Sequence, residues 1–409
     1  MSQDALRRIF AEAYNNPHSD FYRALYAARG FSPSAHFPQD AEEWQALPFL
    51  SKDEMVAVPL EHRTFIPKEE VLFYRNSSGT SGRGLAMIPR NFIPDLSYRR
   101  KHTQRFMDFL TPHHFAHLSA ERAGIQMVDG DVYDFPTSAK LAAAADIDGI
   151  SAIASILTAF IPHLTAAMDT TRIRYIFLWG ERISRAKREL LYSTFPSALF
   201  QADYGLAEVC GVGGFSCESI RQPEEFLIHP RSDLVYWELI DPETGARAID
   251  EGEVVLTTLW AGSAFPALRY RTGDLARLVP SPCSCRKESY RVLGRVTNDR
   301  ITIPGGVITS SELENALWPY RDHIADDFEL HIYGVDASLP RFELHISPIP
   351  PVQLDLDTIA RNIAETLRIS PHRTLASAAQ DGLLGSFKCA LLPAERKTPK
   401  KQIRIFTHD

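Results

Sequence analysis

Ile173-Arg-Tyr-Ile-Phe-Leu-Trp-Gly-Glu181, Ala198-Leu-Phe-Gln201 and Tyr204-Gly-Leu-Ala-Glu208 are three pieces of one stretch. Residues 173–179 are a continuous run suited to a buried strand, and 184–192 follow with helical spacing. Residues 198–201 return to strand composition before a loop opens at Tyr204. Strand, helix, strand in that succession predicts an α/β layer. Upstream, Leu6, Ile9, Phe10, Tyr14, Phe21, Leu25 and Tyr26 recur at helical spacing, and Ser51-Lys-Asp-Glu54 has the form of a helix-start box. Residues 71–74 predict a buried strand, and 151–162 a helix that resumes beyond Pro162 to 168. Downstream, 218–280 change to short β-rich runs at 235–240, 253–259 and 268–270, punctuated by Asp241-Pro-Glu-Thr-Gly245 and Asp250-Glu-Gly252. Past a boundary near 294–299, helices are expected at 310–318 and 356–367 and strands at 327–333 and 341–346. That is an α+β unit of roughly 110 residues, a normal domain size.

Composition narrows the function classes. At ~150 residues per domain, 409 residues suggest two or three domains. The chain is 44% hydrophobic and 23% charged, the profile of a folded protein. Its 44 basic and 51 acidic residues leave a formal charge of -7, which argues against general nucleic-acid binding. Five cysteines are too few for a disulfide scaffold. The start MSQDALRRIF lacks a secretory apolar core. The most apolar stretch, 150–161, falls well short of the ~20 residues of a membrane span. A cytoplasmic protein with no nucleic-acid or membrane partner is expected, and a homodimer stays open.

Five strings carry chemistry. In Ser77-Ser78-Gly79-Thr80-Ser81-Gly82, glycines allow close approach to a phosphate, and backbone N–H and hydroxyl groups supply donors. No Walker lysine follows, and read alone a surface turn is the plainer explanation. In Tyr204–Glu208 a tyrosine face can stack on a base and a carboxylate can hold Mg²⁺, although a turn with a buried aromatic fits too. In Tyr270-Arg-Thr-Gly-Asp274 a strand ends in a turn that projects a carboxylate able to accept ribose hydroxyls; an ordinary Asp turn is the alternative. Gly294-Arg295, with Asn298-Asp299 and Gly305-Gly306, brackets a short strand with flexible bends. The lysine-rich end, Lys397 to Arg404, reads by itself as a solvated tail.

Taken in this order, the strings resemble the adenylate-forming superfamily of acyl- and aryl-CoA synthetases, and within it the phenylacetate–CoA ligase branch. The resemblance runs from about residue 45 to the C-terminus. It implies an α/β multi-subdomain fold: an N-terminal adenylation domain over 1–297, including a β-rich, zinc-containing subdomain at about 212–293, and a small mobile α+β domain over 298–409. It further implies an ATP-dependent carboxylic acid ligase that forms acyl-AMP and passes the acyl group to a thiol, either coenzyme A or the phosphopantetheine arm of a carrier protein. By the same resemblance Ser77, Ser78, Gly79, Thr80, Ser81 and Gly82 hold the phosphates, and Gly180, Glu181 and Arg182 form the adenine-side turn. Asp203, Tyr204 and Gly205 meet the nucleotide, with Tyr204 stacked on adenine, Glu208 on Mg²⁺, Asp274 on the ribose and Arg295 beside it. Lys401, with Lys400 as the neighbouring candidate, bridges carboxylate and phosphate. The chain departs from the family at Ala207, where a hydroxyl is usual, and at Lys400, where a glycine is usual. These departures keep a second reading in play: a catalytically weakened nucleotide-binding regulatory or scaffold homologue.

Cys283-Ser-Cys285, with Cys217 and His229, offers three thiols and an imidazole, a donor set suited to a structural tetrahedral Zn²⁺. Members of the same branch carry a similar pattern. Buried unpaired cysteines and a surface histidine are the alternative. Cys210 and Cys389 read as core thiols, and the aromatic stretch from Phe106 to Phe135 as either an acyl pocket or core.

Overall fold

The structure, a computed structural model, describes residues 3–34, 36–76, 85–89, 100–109, 120–181, 183–209, 213–217, 226–260, 262–281, 283–296, 300–334, 339–350, 353–392 and 403–408. The phosphate-loop string 77–82, Arg182, Cys210, Asn298, Asp299, Lys400 and Lys401 lie outside these residues. Contacts divide the chain into two units, residues 1–181 with 194–293, and residues 182–193 with 294–409.

The first unit opens with α1 (Gln3–Tyr14), α2 (Phe21–Ala28), α3 (Ala41–Ala46) and α4 (Lys52–Ala57). The helix-start box is formed: Ser51 Oγ accepts from Glu54 N–H while the Glu54 carboxylate accepts from Ser51 N–H. Strands β1 (Val71–Asn76) and β2 (Leu85–Pro89) make a separate antiparallel pair. Val71 is buried and Tyr74 is 52% exposed, so β1 is not buried along its whole length.

An eleven-stranded sheet dominates this unit. Its strands are β3 (Arg105–Asp108), β4 (Gln126–Asp129), β5 (Gly149–Ala152), β6 (Tyr175–Leu178), β7 (Leu199–Tyr204), β8 (Gly214–Ser216), β9 (Ile228–Pro230), β10 (Val235–Ile240), β11 (Glu251–Thr258), β12 (Tyr270–Val279) and β13 (Ser289–Arg295). The order is β10-β11-β12-β13-β9-β8-β7-β6-β5-β3-β4. Strands β3 to β7 pair in parallel. The pairs β7–β8, β8–β9, β9–β13, β10–β11 and β11–β12 are antiparallel. The parallel strands β5 and β6 are buried along their whole length, as expected where both faces are covered. Helices α5 (Phe135–Ala144) and α6 (Ala154–Ala167) follow the parallel strands.

Residues 151–152 are the end of β5 rather than the start of a helix, and α6 runs through Pro162 without stopping. Pro162 is exposed, so the ring sits on the solvent side of the helix, where the loss of one backbone bond is tolerated. Phe109 lies 4.8 Å from Phe160 and 6.1 Å from Phe135, and both Phe106 and Phe109 are buried. These aromatics are core. Tyr133 stands exposed, and Phe115 lies outside the described residues.

The second unit contains α7 (Arg185–Thr194) for its residues 185–193, the hairpin β14 (Arg300–Ile303) and β15 (Gly306–Thr309), and α8 (Ser310–Leu317). A four-stranded sheet follows from β16 (Ile324–Tyr333), β17 (Arg341–Pro348), β20 (Phe387–Leu391) and β21 (Ile403–His408), in the order β20-β17-β16-β21. Between them come α9 (Leu356–Thr366), the short pair β18 (Arg368–Ser370) and β19 (Arg373–Thr374), and α10 (Leu375–Gln380). Phe328, Leu330, Ile332, Phe342, Leu344 and Ile346 alternate along β16 and β17 and pack with Ile359 and Ile363 of α9. Cys389 sits against this core, and burial pushes its thiol up to about 12. Among the described residues, no helix is long and apolar enough to cross a membrane.

Candidate functional site

Two of the strings singled out in the sequence gather at the end of β7 and in β12. Tyr204 closes β7, and its hydroxyl donates to Asp274 Oδ2 at 2.8 Å. The tyrosine ring is held from one side by Trp237 at 5.1 Å between centroids. Trp237 Nε1–H donates in turn to the Gly213 carbonyl. A side chain at Gly213 would place its Cβ 2.5 Å from the Tyr204 carbonyl and 2.6 Å from its ring, so only glycine lets the returning chain pass. Asp203 is half-buried and opposite Phe215 of β8, and Gly205 is exposed just past the strand.

Asp274 is not at a strand end. It lies inside β12, where the register against β11 slips: Glu253 faces Leu275 while Val255 faces Arg271. Thr272, Gly273 and Asp274 therefore bulge out of the ladder. Gly273 takes a φ of +72° there, and Asp274 N–H donates to Thr272 Oγ1 at 3.0 Å. The bulge is anchored from below by Glu253, which is 2% exposed. Its carboxylate accepts from Arg271 Nε at 3.0 Å and from Gly273 N–H at 3.1 Å. Within this motif Arg271 and Glu253 hold the backbone, and Asp274 is the carboxylate presented outward.

Glu208 lies in a short 3₁₀ turn, Ala207–Val209, with its side chain 8% exposed. Lys52 Nζ, at the first position of α4, lies 3.3 Å from Glu208 Oε1. The sequence offered no sign of this pairing, because the two residues are far apart in the chain and Lys52 stood out only as part of a helix cap. Trp237 was equally silent as one apolar position in an alternating strand. Glu181 serves the fold. Ser155 donates to its carboxylate from both the backbone N–H (2.7 Å) and the hydroxyl (2.8 Å), so Glu181 closes the N-terminus of α6. Gly180 turns the chain ahead of it at a φ of +79°. In the second unit, Arg295 ends β13 and is exposed.

The thiol–imidazole set is brought together. Ligand atoms of Cys217, His229, Cys283 and Cys285 lie within 4.8 Å of one another. His229 Nε2 is 3.3 Å from both the Cys283 and Cys285 sulfurs. Donors around tetrahedral zinc stand roughly 3.3–3.8 Å apart, given bonds of 2.0–2.3 Å, so little movement is needed to fit the ion. His229 Nδ1 faces the Glu288 carbonyl at 2.7 Å, which puts the ring proton on Nδ1 and leaves Nε2 bare toward the sulfurs. Burial would raise the Cys283 thiol, yet hydrogen bonds from Cys285, Ser281 and Cys217 outweigh it and bring it down to about 6. The ligands come from the end of β8, from β9 and from the segment before β13, so an ion there would tie three antiparallel strands.

No protein-family model matches the chain. It is 32% identical over 145 residues to the phenylacetate–coenzyme A ligase of Pseudomonas putida, covering 35% of this chain and 31% of that protein. The match thus spans about a third of that relative's length. With the phenylacetate–coenzyme A ligase of Thermus thermophilus it shares 26% over 348 residues, covering 78% of this chain and 74% of the other. In structure it superposes on 2-hydroxyisobutyryl-CoA ligase, solved in complex with 2-HIB-AMP, with a TM-score of 0.74 and 15% identity over 99% of this chain and 88% of that one. The chain is thus similar in part of its sequence to phenylacetate–coenzyme A ligases, and it has the fold of 2-hydroxyisobutyryl-CoA ligase.

Proposed function

We propose that the protein is an acid–thiol ligase that activates a carboxylic acid, with an aryl acid favoured, as its acyl-AMP. The observation that carries this is the contact between Tyr204 Oη and Asp274 Oδ2, 2.8 Å long, which joins the two nucleotide strings across seventy residues of chain. An aromatic face and a carboxylate held this way match the two ends of an adenosine: the base for the ring, the ribose hydroxyls for the acid.

In the proposed reaction a substrate carboxylate oxygen attacks the α-phosphorus of ATP, the bond to the β-phosphate oxygen breaks and pyrophosphate leaves. A thiolate then attacks the acyl carbon and AMP departs. Both steps depend on positioning and on neutralising charge at phosphate oxygens. Asp274 orients the ribose, Tyr204 the base, and Thr80 with its neighbours the phosphates. Lys401 or Lys400 bridges carboxylate and phosphate, and Arg295 adds a contact near the ribose. Glu208 would hold Mg²⁺, which supplies charge neutralisation when bound, after giving up Lys52. The acceptor is coenzyme A or a carrier protein's phosphopantetheine arm, and the site of action is the cytoplasm. Residues 298–409 act as the mobile domain between the two steps. The four residues Cys217, His229, Cys283 and Cys285 hold a structural Zn²⁺.

The test is acid-dependent ATP–pyrophosphate exchange across a panel of aryl and aliphatic acids. Exchange with at least one acid, lost in Lys401→Ala while ATP still binds, is the expected result. If Lys400→Ala is the variant that loses it, the bridging role passes to Lys400. Binding of ATP with no exchange for any acid overturns the ligase assignment in favour of a regulatory nucleotide-binding homologue. The zinc is tested by elemental analysis of the purified protein, with about one ion per chain expected and none refuting it.

A further inference from the structure

The outer face of the four-stranded sheet in the second unit carries polar residues of a particular kind. Along β16 the positions between the core residues are Glu329, His331 and Tyr333; β17 contributes Glu343 and His345, and β21 contributes positions 404, 406 and 408, which are Arg404, Phe406 and His408. The register sets Glu329 opposite both His345 and Arg404, and His331 opposite both Glu343 and Phe406. Period-two alternation thus delivers three imidazoles and two carboxylates to one patch.

Within the patch, ligand atoms of Glu329, His331 and His345 lie within 4.8 Å of one another. His331 Nε2 is 3.4 Å from Glu329 Oε2, and the His331 and His345 rings are 4.3 Å apart between centroids. Two donor atoms on one tetrahedral ion with bonds of 2.0–2.1 Å stand ~3.3–3.4 Å apart, so the first of these spacings needs no adjustment. Glu329 is 6% exposed, which removes most of the competing hydration from its carboxylate. The ring of His331 is stacked on Phe406 at 4.8 Å.

Outside the three, a further layer orients them. His331 Nδ1 lies 2.9 Å from His408 Nε2, a spacing that holds one proton between two ring nitrogens. When His331 Nδ1–H donates across it, Nε2 is left as a bare lone pair directed at Glu329. Glu343 Oε2 stands 3.3 Å from His345 Nε2, and Tyr333 is stacked on His408 at 4.6 Å. Metal-ligating histidines habitually have such a partner on the other nitrogen.

We propose that Glu329, His331 and His345 form a second metal site, for a divalent transition ion of the Zn²⁺, Ni²⁺ or Cu²⁺ class, with His408 and Glu343 as orienting residues. Two imidazoles and one carboxylate suit these ions rather than Mg²⁺ or Ca²⁺, which prefer oxygen alone. The ion clasps β16 to β17 directly and holds β21 through His408. It is separate from the three-thiol cluster in residues, donor type and unit, and it does not depend on the ligase assignment.

The full-length protein, stripped with chelator and titrated with Co²⁺, distinguishes the two sites. Thiolate ligation gives intense near-ultraviolet charge-transfer bands, and nitrogen–oxygen ligation gives only weak visible bands. The expected result is a second equivalent without thiolate bands, retained in Cys283→Ser. His345→Gln and Glu329→Gln should each weaken that equivalent by at least ~100-fold, and His408→Ala by ~10–100-fold. Circular dichroism checks that each variant is folded. Should the variants unfold, Cu²⁺ bound to the unaltered protein after one equivalent of Zn²⁺ has filled the thiol cluster must show splitting by two nitrogens in its resonance spectrum. No second equivalent, an equivalent indifferent to His345→Gln in folded protein, or Cu²⁺ without nitrogen coupling each overturns the site.

Discussion

Replacing Arg271 with methionine isolates what holds the Asp274 bulge. Glu253 is 2% exposed, and its carboxylate has Arg271 on one oxygen and the Gly273 N–H on the other. Arg271 Nη2 also donates to the Pro242 carbonyl at 2.8 Å. Removing the guanidinium leaves a buried carboxylate without its cation. For a fully buried pair that costs about 3–5 kcal/mol. The Arg271 side chain is 33% exposed, so water screens part of the loss and about 2–3 kcal/mol is the better expectation. In a unit of this size that lowers the melting temperature by about 5–10 °C. Glu253→Gln supplies the control, because the amide oxygen still accepts from Gly273 N–H while the charge is gone. In that background Arg271→Met should cost less than about 1 kcal/mol, a coupling well above the ~0.5 kcal/mol error of additivity. Differential scanning calorimetry of the four proteins measures it. Equal costs of Arg271→Met in both backgrounds would falsify the account, since the arginine would then be acting through packing alone.

Four further outcomes follow from the same geometry. Asp274→Ala should weaken ATP binding about 10-fold or more by calorimetric titration, the scale of hydrogen bonds to a charged group, and unchanged affinity would remove Asp274 from the nucleotide site. Lys52→Gln frees Glu208 of a cation 3.3 Å away. The Mg²⁺ concentration for half-maximal exchange should fall roughly 2–5-fold, as befits a partly exposed pair, and a rise would show that Lys52 supports the site instead. Ser51→Ala removes the α4 cap and should cost about 1 kcal/mol of stability in denaturant unfolding. The Glu54 carboxyl, which burial would raise, is held below its ordinary value by Ser51 and Arg29. A folded-state pKa that is depressed contributes stability above the unfolded value and loses it as pH falls through the folded one. The stability difference between the native protein and Glu54→Gln should therefore be full at neutral pH, begin to shrink near the unfolded value of about 4.3, and vanish once the pH has fallen below the depressed folded value; a difference that does not change on acidification would deny the carboxylate its role.

Much of this architecture was legible because local chemistry and global fold agree. The run 235–240 is a strand end to end, the box at Ser51 forms both of its bonds, and the apolar run at 173–179 is the buried strand Tyr175–Leu178. The differences fall where tertiary context overrides a local signal. Ser151 and Ala152 resemble the helix that follows in composition, and pairing with Phe177 and Leu178 of β6, and of Ser151 with Asp108 of β3, makes them strand. Pro162 looks like a stop until its exposure is known. Asp274 looks like a strand end because Thr-Gly-Asp is turn chemistry, whereas the ladder resumes past it through a bulge. Pairings such as Lys52 with Glu208, or His331 with His345, require a register or a packing that no short string contains.

Within each string the residues divide the work between the fold and the proposed ligand. In Arg271-Thr-Gly-Asp274 three residues build the bulge, and the fourth is the one that the proposed function gives to a nucleotide. In Gly180-Glu181 the glutamate closes the start of α6, so its loss would loosen a helix end before it affected any base. Tyr204 is positioned by Trp237 and by a glycine, neither of which belongs to its own string. A substitution at Ala207 removes no such support: it lies in a short turn, and the flanking Leu206 and Val209 supply the buried contacts. Under the proposed function, a hydroxyl at this position would serve a ligand and not the fold. Its absence can tune or weaken catalysis while leaving the scaffold intact. Restoring the hydroxyl with Ala207→Thr therefore bears on rate alone, and any change in exchange activity without a change in melting temperature would mark the turn as functional.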